Sequence, residues 1–282
     1  MFASFMVNTW ITASLVAVAS GLVGYFVVLR SATFAAHALP LGTFPGAAAA
    51  GLLGINPLWG LLAFAAAGVA GIAGLGRRQR NDVATALTLI VLLGLGTLFL
   101  SLSRQYAQGV EALMFGEVLG ISSAEIVPVA VMTLLVAAGV FGFFRPLLLS
   151  AASPDLAAAR GAAPAAVQLL FLSLLALTTA IALPVVGALL VFSLIVGPAS
   201  AARACTPRPV LALLLSVIIA LGLVWAAIAL SFETNWPVGF FVGALAAGCY
   251  AAGRLRRRTT RRTPWRRRPR TAPPPPRPRA AA

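Results

Sequence analysis

Apolar residues run through this chain in blocks of about twenty, separated by brief interruptions that carry the charges, prolines and glycines. The blocks fall near 7–29, 33–54, 57–76, 83–102, 124–144, 164–183, 185–202, 209–230 and 236–253. A bilayer's hydrocarbon core is about 30 Å thick, which about 20 helical residues cross. The pattern therefore predicts an all-α polytopic integral membrane protein with about nine transmembrane helices. Eight is the alternative count. The second block is interrupted by Pro40, Pro45 and Gly46, and only Pro184 separates the sixth from the seventh. No basic residue precedes the first block, and the block is long, so it reads as a span rather than a cleaved signal peptide. The spans occupy a transmembrane domain over residues 1–253, followed by a tail over 254–282.

Charge orients the spans. Inner loops collect arginine and lysine. Arg30 follows the first block, Arg77, Arg78 and Arg80 the third, Arg145 and Arg160 the fifth, Arg203 and Arg208 the seventh, and Arg254 the last. Each odd-numbered span thus ends on a basic loop, with Arg104 alone on the other side. The expected topology has the N-terminus outside and the C-terminus inside. The tail holds 12 of the 21 basic residues and no acid, then turns to Pro273–Pro276, so it carries most of the net +15. Such a segment cannot bury a core and reads as disordered. At an inner membrane face it meets anionic lipid headgroups. Charge alone is also compatible with nucleic acid, but no fold for that is evident.

Composition excludes one class of chemistry. Hydrophobic residues make up 60% of the chain and charged residues 10%, with no lysine at all. A phosphate-binding loop needs its lysine to hold nucleotide phosphates. This chain supplies none, so ATP hydrolysis of that type would reside in a partner, and the chain itself is read as no enzyme. No bound cofactor is expected. Cys205 and Cys249 read as small hydrophobes rather than a disulfide or metal pair.

Three constellations are candidates for function. The first is the polar stretch Ser153, Pro154, Asp155, Leu156, then Ala157 to Ala159, Arg160 and Gly161. Proline suits a first helical turn and Ser153 a cap. Asp155 and Arg160 suit the two ends of the helix dipole, and Gly161 ends the element. The prediction is a helix of about two turns at the cytosolic surface. The same features fit an ordinary capped helix that touches only headgroups. The second is His37, the only histidine, in a segment free of other charge. An ionisable group inside a membrane is a candidate site, and neutral imidazole ligates zinc and other first-row ions. A packing histidine near the inner interface is the alternative. The third is the set of helix breaks at Pro184 and Gly187 and at Gly197 and Pro198. Broken helices border many translocation routes; a tight connection between two antiparallel spans is the alternative. Glu111, Glu117 and Glu233 are the acids of the outer loops, where charge pairs could dock a solute-binding protein.

The stretch from Ser153 to Gly161, followed by Ala162-Ala163-Pro164 and an apolar span, resembles the coupling segment of the membrane subunits of bacterial metal-ion ABC transporters, the zinc/manganese/iron permease family. That family reads Asp-Pro-Glu-x-Ala-x-x-x-Gly there. The likeness continues through Ala182 to Val191 and Leu194 to Arg203, and in style through Gly24 to Arg30 and Phe115 to Ser122. It covers roughly residues 10–253. The resemblance implies a homodimer in the bacterial plasma membrane, an ATP-binding cassette ATPase subunit engaged by residues 153–161, an extracytoplasmic metal-binding protein, and a transported divalent ion, zinc or manganese before iron. Family members also carry Gly-Asp-Ala-x-Ser-His-Ala before a Pro-Gly. With Pro45-Gly46 aligned to that pair, His37 stands at the family's aspartate and Leu41 at its histidine, so one imidazole replaces a carboxylate and an imidazole. A self-contained secondary transporter and a permease-derived scaffold that no longer carries metal are the rival readings. The first is disfavoured by having only His37, with Glu125 at a span edge, as ionisable groups near the spans.

Overall fold

A computed structural model of the protein describes residues 4–76, 81–102, 122–161 and 163–260, and every element in them is an α-helix. In chain order these are α1 (Ser4–Leu29), α2 (Thr33–Thr43), α3 (Pro45–Leu53), α4 (Pro57–Gly76), α5 (Asn81–Leu102), α6 (Ser123–Gly142), α7 (Phe144–Ala152), α8 (Pro154–Ala159), α9 (Pro164–Val186), α10 (Ala188–Cys205), α11 (Pro209–Thr234) and α12 (Val238–Thr260). Arg77, Arg78, Arg80, Arg104, Glu111, Glu117 and the tail beyond Thr260 lie outside the described residues.

All nine expected apolar blocks are helical, but not all in the same way. Among the described residues, seven helices are long and apolar enough to cross a membrane: α1, α4, α5, α6, α9, α11 and α12. The block 33–54 instead forms the pair α2 and α3. Its joint residue Phe44 keeps helical torsions (φ −47°, ψ −44°), and its amide donates to the Pro40 carbonyl at 3.1 Å. Pro45 then lacks the donor that would continue the ladder, so a new helix starts there. The block 185–202 is the shorter helix α10. The break before it falls at Gly187, not at Pro184, which lies inside the last turn of α9. Gly187 takes φ 87°, ψ 150°, a region open almost only to glycine, and its carbonyl accepts from Leu190 and Val191 to start α10. Gly197 and Pro198 do not break α10, which runs on to Cys205. The tail expected to begin at 254 is helical up to Thr260, as α12 continues into it. The expected loop 145–163 holds two helices, α7 and α8, rather than one.

The centre of the bundle is α1 and α9. Each buries 72% of its most apolar window inside the protein, against 22% for α6 and 17% for α12, which therefore lie at the periphery of the bundle. Lipid tails are as apolar as the helices, so association depends on close van der Waals packing and small residues. On α1, Ala13, Ala17, Ala19, Ser20, Gly21 and Gly24 supply them. A Cβ on Gly24 would run into the Ile195 carbonyl oxygen of α10, and one on Gly21 would lie 2.7 Å from the Val217 Cα of α11. The Ser216 hydroxyl of α11 donates to the Gly21 carbonyl at 2.8 Å. Gly46 of α3 and Gly60 of α4 meet backbone to backbone in the same manner.

The two ends of the bundle differ chemically. At one, α1 closes with Ser31 in the left-handed region (φ 56°) and the Ala32 amide donating back to the Val27 carbonyl at 2.9 Å, a helix-terminating pattern that exposes few orphan carbonyls. Arg203 of α10 donates to the Val28 carbonyl at 2.9 Å, and Arg30 reaches α7 and α9. These bonds bring the Arg30 end of α1 and the Arg203 end of α10 together with α7 and α9. At the other end Trp10 packs edge-on to Trp225 with centroids 6.1 Å apart, and the Trp225 indole donates to Ser14 at 2.9 Å.

Candidate functional site

Residues 144–161 form the surface element of the basic end. Phe144 opens α7 against the buried Phe26 of α1, centroids 5.8 Å apart. Leu147 is fully buried one turn later. Ser153 is extended (φ −157°), and its carbonyl accepts from Ala157 at 3.1 Å to begin α8. As expected, Pro154 starts this helix, which is six residues long. Ala157 is fully buried where α8 meets α7 and α9, while Ala158, Ala159 and Arg160 are exposed. Gly161 ends the element at φ 81°, and its amide donates to the Ala158 carbonyl at 3.0 Å. A six-residue helix has no stability of its own. Its shape is imposed by the anchor at Ala157 and by the two backbone breaks, and among the described side chains Ala158, Ala159 and Arg160 face outward.

His37 lies one turn into α2, exposed, with its imidazole edge-on to Phe192 of α10 at 5.3 Å. Leu41 follows four residues on and is part-buried against the core, so the two share a helix face. Among the described residues no group of three or more His, Cys, Asp or Glu side chains comes together. One chain thus offers a metal a single imidazole beside an aromatic ring, on a face open to whatever packs there. Neutral imidazole suits first-row ions, and a lone ligand holds them weakly. No disulfide joins Cys205 and Cys249. Glu125 and Glu233 are exposed at helix ends. Pro184, Gly187, Gly197 and Pro198 lie along the buried α9–α10 unit, where a Cβ on Gly197 would stand 2.8 Å from that of Ala246 in α12.

One cluster escaped the linear pattern. In the sequence Arg30 serves only as a marker of orientation. In the fold its guanidinium bonds Ser150 and Gln168 and lies over Phe171. The available signal was an arginine directly after the first span, together with a glutamine in the opening turn of an otherwise apolar one.

The model of the ABC 3 transport family matches residues 2–255. The chain is 28% identical over 210 residues to the manganese transport system membrane protein MntC of Listeria monocytogenes, covering 73% of this chain and 74% of that protein. It is 29% identical over 203 residues to the manganese import system permease protein ScaB of Streptococcus gordonii, covering 70% and 72%. Among solved structures, PsaBC from Streptococcus pneumoniae in complex with Fab superposes with a TM-score of 0.80 at 22% identity, covering 89% of this chain and 91% of that one. An inward-facing conformation of a putative metal-chelate type ABC transporter gives 0.66 at 16% identity, covering 87% and 84%.

Proposed function

The chain belongs to the ABC 3 transport family, and from that premise we propose that it is the membrane-spanning permease of an ATP-driven importer of a divalent metal ion. The observation that carries the reading is the family match across the whole helical bundle, residues 2–255. Manganese is the first candidate cargo, because relatives from two genera are named for it, and zinc is the second. The chain has no lysine for a phosphate-binding loop, so the ATPase is a separate subunit. It engages the face of α8, residues 153–161. Two copies of the chain form the pathway, with His37 and the α9–α10 junction (Pro184, Gly187, Gly197, Pro198) beside it. An extracytoplasmic metal-binding protein delivers the ion. The arginine-bearing end faces the cytosol of a bacterial plasma membrane, and the arginine-rich tail meets its anionic lipids. Membership of an ABC family weighs against the self-contained secondary transporter.

The test is metal content. A strain lacking the gene, grown in chelated medium, should lose cellular manganese and regain it on complementation. A deficit confined to zinc would rename the cargo. Unchanged manganese, zinc and iron, with no redundant importer active, would sink the importer reading.

His37 can then be examined in the complemented strain. His37→Ala removes the imidazole from the α2 face without touching the core. If it contacts the moving ion, the maximal uptake rate should fall about tenfold, the equivalent of about 1.4 kcal/mol of barrier. The half-saturating metal concentration, which belongs to the delivering protein, should stay put. A variant with wild-type uptake would return His37 to a packing role against Phe192.

A further inference from the structure

Arg30 stands where α1, α7 and α9 meet. Its Nη1 donates to the Ser150 hydroxyl of α7 at 2.9 Å, and its Nη2 to the Gln168 carboxamide oxygen of α9 at 2.8 Å. Its Cζ lies 4.8 Å from the centroid of the fully buried Phe171 ring, one turn further along α9. Both hydrogen-bond acceptors are neutral, so the group is placed by the geometry of its planar fork rather than by an ion pair. A lysine point charge cannot reproduce that arrangement. Ser150 in turn donates to the Leu147 carbonyl at 3.2 Å, within its own helix. Thus α7 is held on α1 at its first residue by Phe144 on Phe26, at its middle by buried Leu147, and at its last turn by Ser150 on Arg30. Only Ser153 then separates α7 from α8.

We propose that Arg30 is the positioning residue that latches the α7–α8 pair to the bundle, so that displacement of α8 is carried into α1 and α9 rather than lost in a hinge at α7. The transport half of this inference rests on the proposed function; the latch itself does not. A short helix on a surface follows whatever pulls it, and motion reaches the core only through contacts that resist separation. Arg30 ties α7 to both central helices of the bundle, and Ser31 behind it, at φ 56°, closes the turn that fixes the guanidinium's origin.

The test uses Arg30→Met, which keeps an apolar stem over Phe171 and removes every donor, with Arg30→Lys as the conservative variant. In the purified full-length protein, Arg30→Met should raise amide exchange over residues 144–152 about tenfold or more while leaving α11 unchanged. Unchanged exchange there, or an equal rise through the whole bundle, overturns the latch. In cells, at wild-type membrane levels, Arg30→Met should cut maximal metal uptake about tenfold with an unaltered half-saturating concentration, and Arg30→Lys should recover part of it. Uptake unaffected by Arg30→Met overturns the coupling role. A wild-type chain that carries no metal overturns the functional reading and the transport half with it, and the exchange measurement still decides the latch.

Discussion

Gly24→Leu is expected to prevent the bundle from assembling. The site leaves no direction in which a side chain could escape. A Cβ there would run into the Ile195 carbonyl oxygen and stand 3.0 Å from its carbon and 3.4 Å from its Cα, all backbone atoms of α10. Ile195 is itself fully buried, so α10 cannot yield by turning a side chain; the two helices must part. Overpacking a core costs typically 1–3 kcal/mol when side chains can adjust. Here the rigid partners put the cost above about 3 kcal/mol, which is exceptional for one substitution. Parting α1 from α10 also disturbs the Arg203 bond to Val28 at the basic end. The measurement is the yield of monodisperse protein from detergent extraction and its thermal midpoint. Gly222→Leu is the matched control, because Gly222 is exposed on α11 with nothing within 4 Å of its Cβ position. It should behave as wild type. Equal yields for the two variants would mean that the close approach of α1 and α10 does not hold the fold.

The second large effect is functional and leaves the bundle intact. Replacing residues 153–161 with a glycine–serine segment of equal length should reduce metal import to that of a strain lacking the gene. With the buried Ala157 kept in place within the new segment, the chain should still reach the membrane and melt within about 1 kcal/mol of wild type, since the exposed Ala158, Ala159 and Arg160 contribute little to stability. The reason lies in how α8 is built. The extended backbone at Ser153 starts it, Ala157 pins it, and Gly161 at φ 81° ends it. The result is a short helix of defined start and end, packed against α7. A glycine–serine chain behaves as a random coil, so a pull on it straightens the linker before it moves a helix. Import retained by this variant would remove residues 153–161 from energy coupling. Import lost together with the protein would mean instead that the segment serves folding.

These two substitutions separate what a linear reading can reach from what it cannot. Residues 153–161 announced themselves in the sequence, because a cap, a first-turn proline and a terminal glycine are local signals that act within one turn of chain. Their partner α7 did not. Phe144-Arg145-Pro146 looked like the end of a span running into a loop, and only packing of Phe144 and Leu147 on the bundle makes 144–152 a separate helix. The break between the sixth and seventh blocks is read from the sequence at Pro184 and Gly187 together, whereas only Gly187 turns the chain. A proline near a helix's end removes one bond and is tolerated; a backbone with φ 87° and ψ 150° needs glycine.

By itself the sequence determined that this is a membrane-embedded helical protein, where its long apolar segments run, and to which family it is similar. Hydrocarbon imposes length and apolarity on each segment separately, so those constraints are written locally. Only the tertiary structure decided which helices touch. Arg30 meets Ser150 and Gln168, 120 and 138 positions away, and Gly24 meets Ile195. Helices that are apolar all round carry no periodic stripe to name their neighbours. The choice is made by small residues that admit a backbone and by a few polar groups that reach across it.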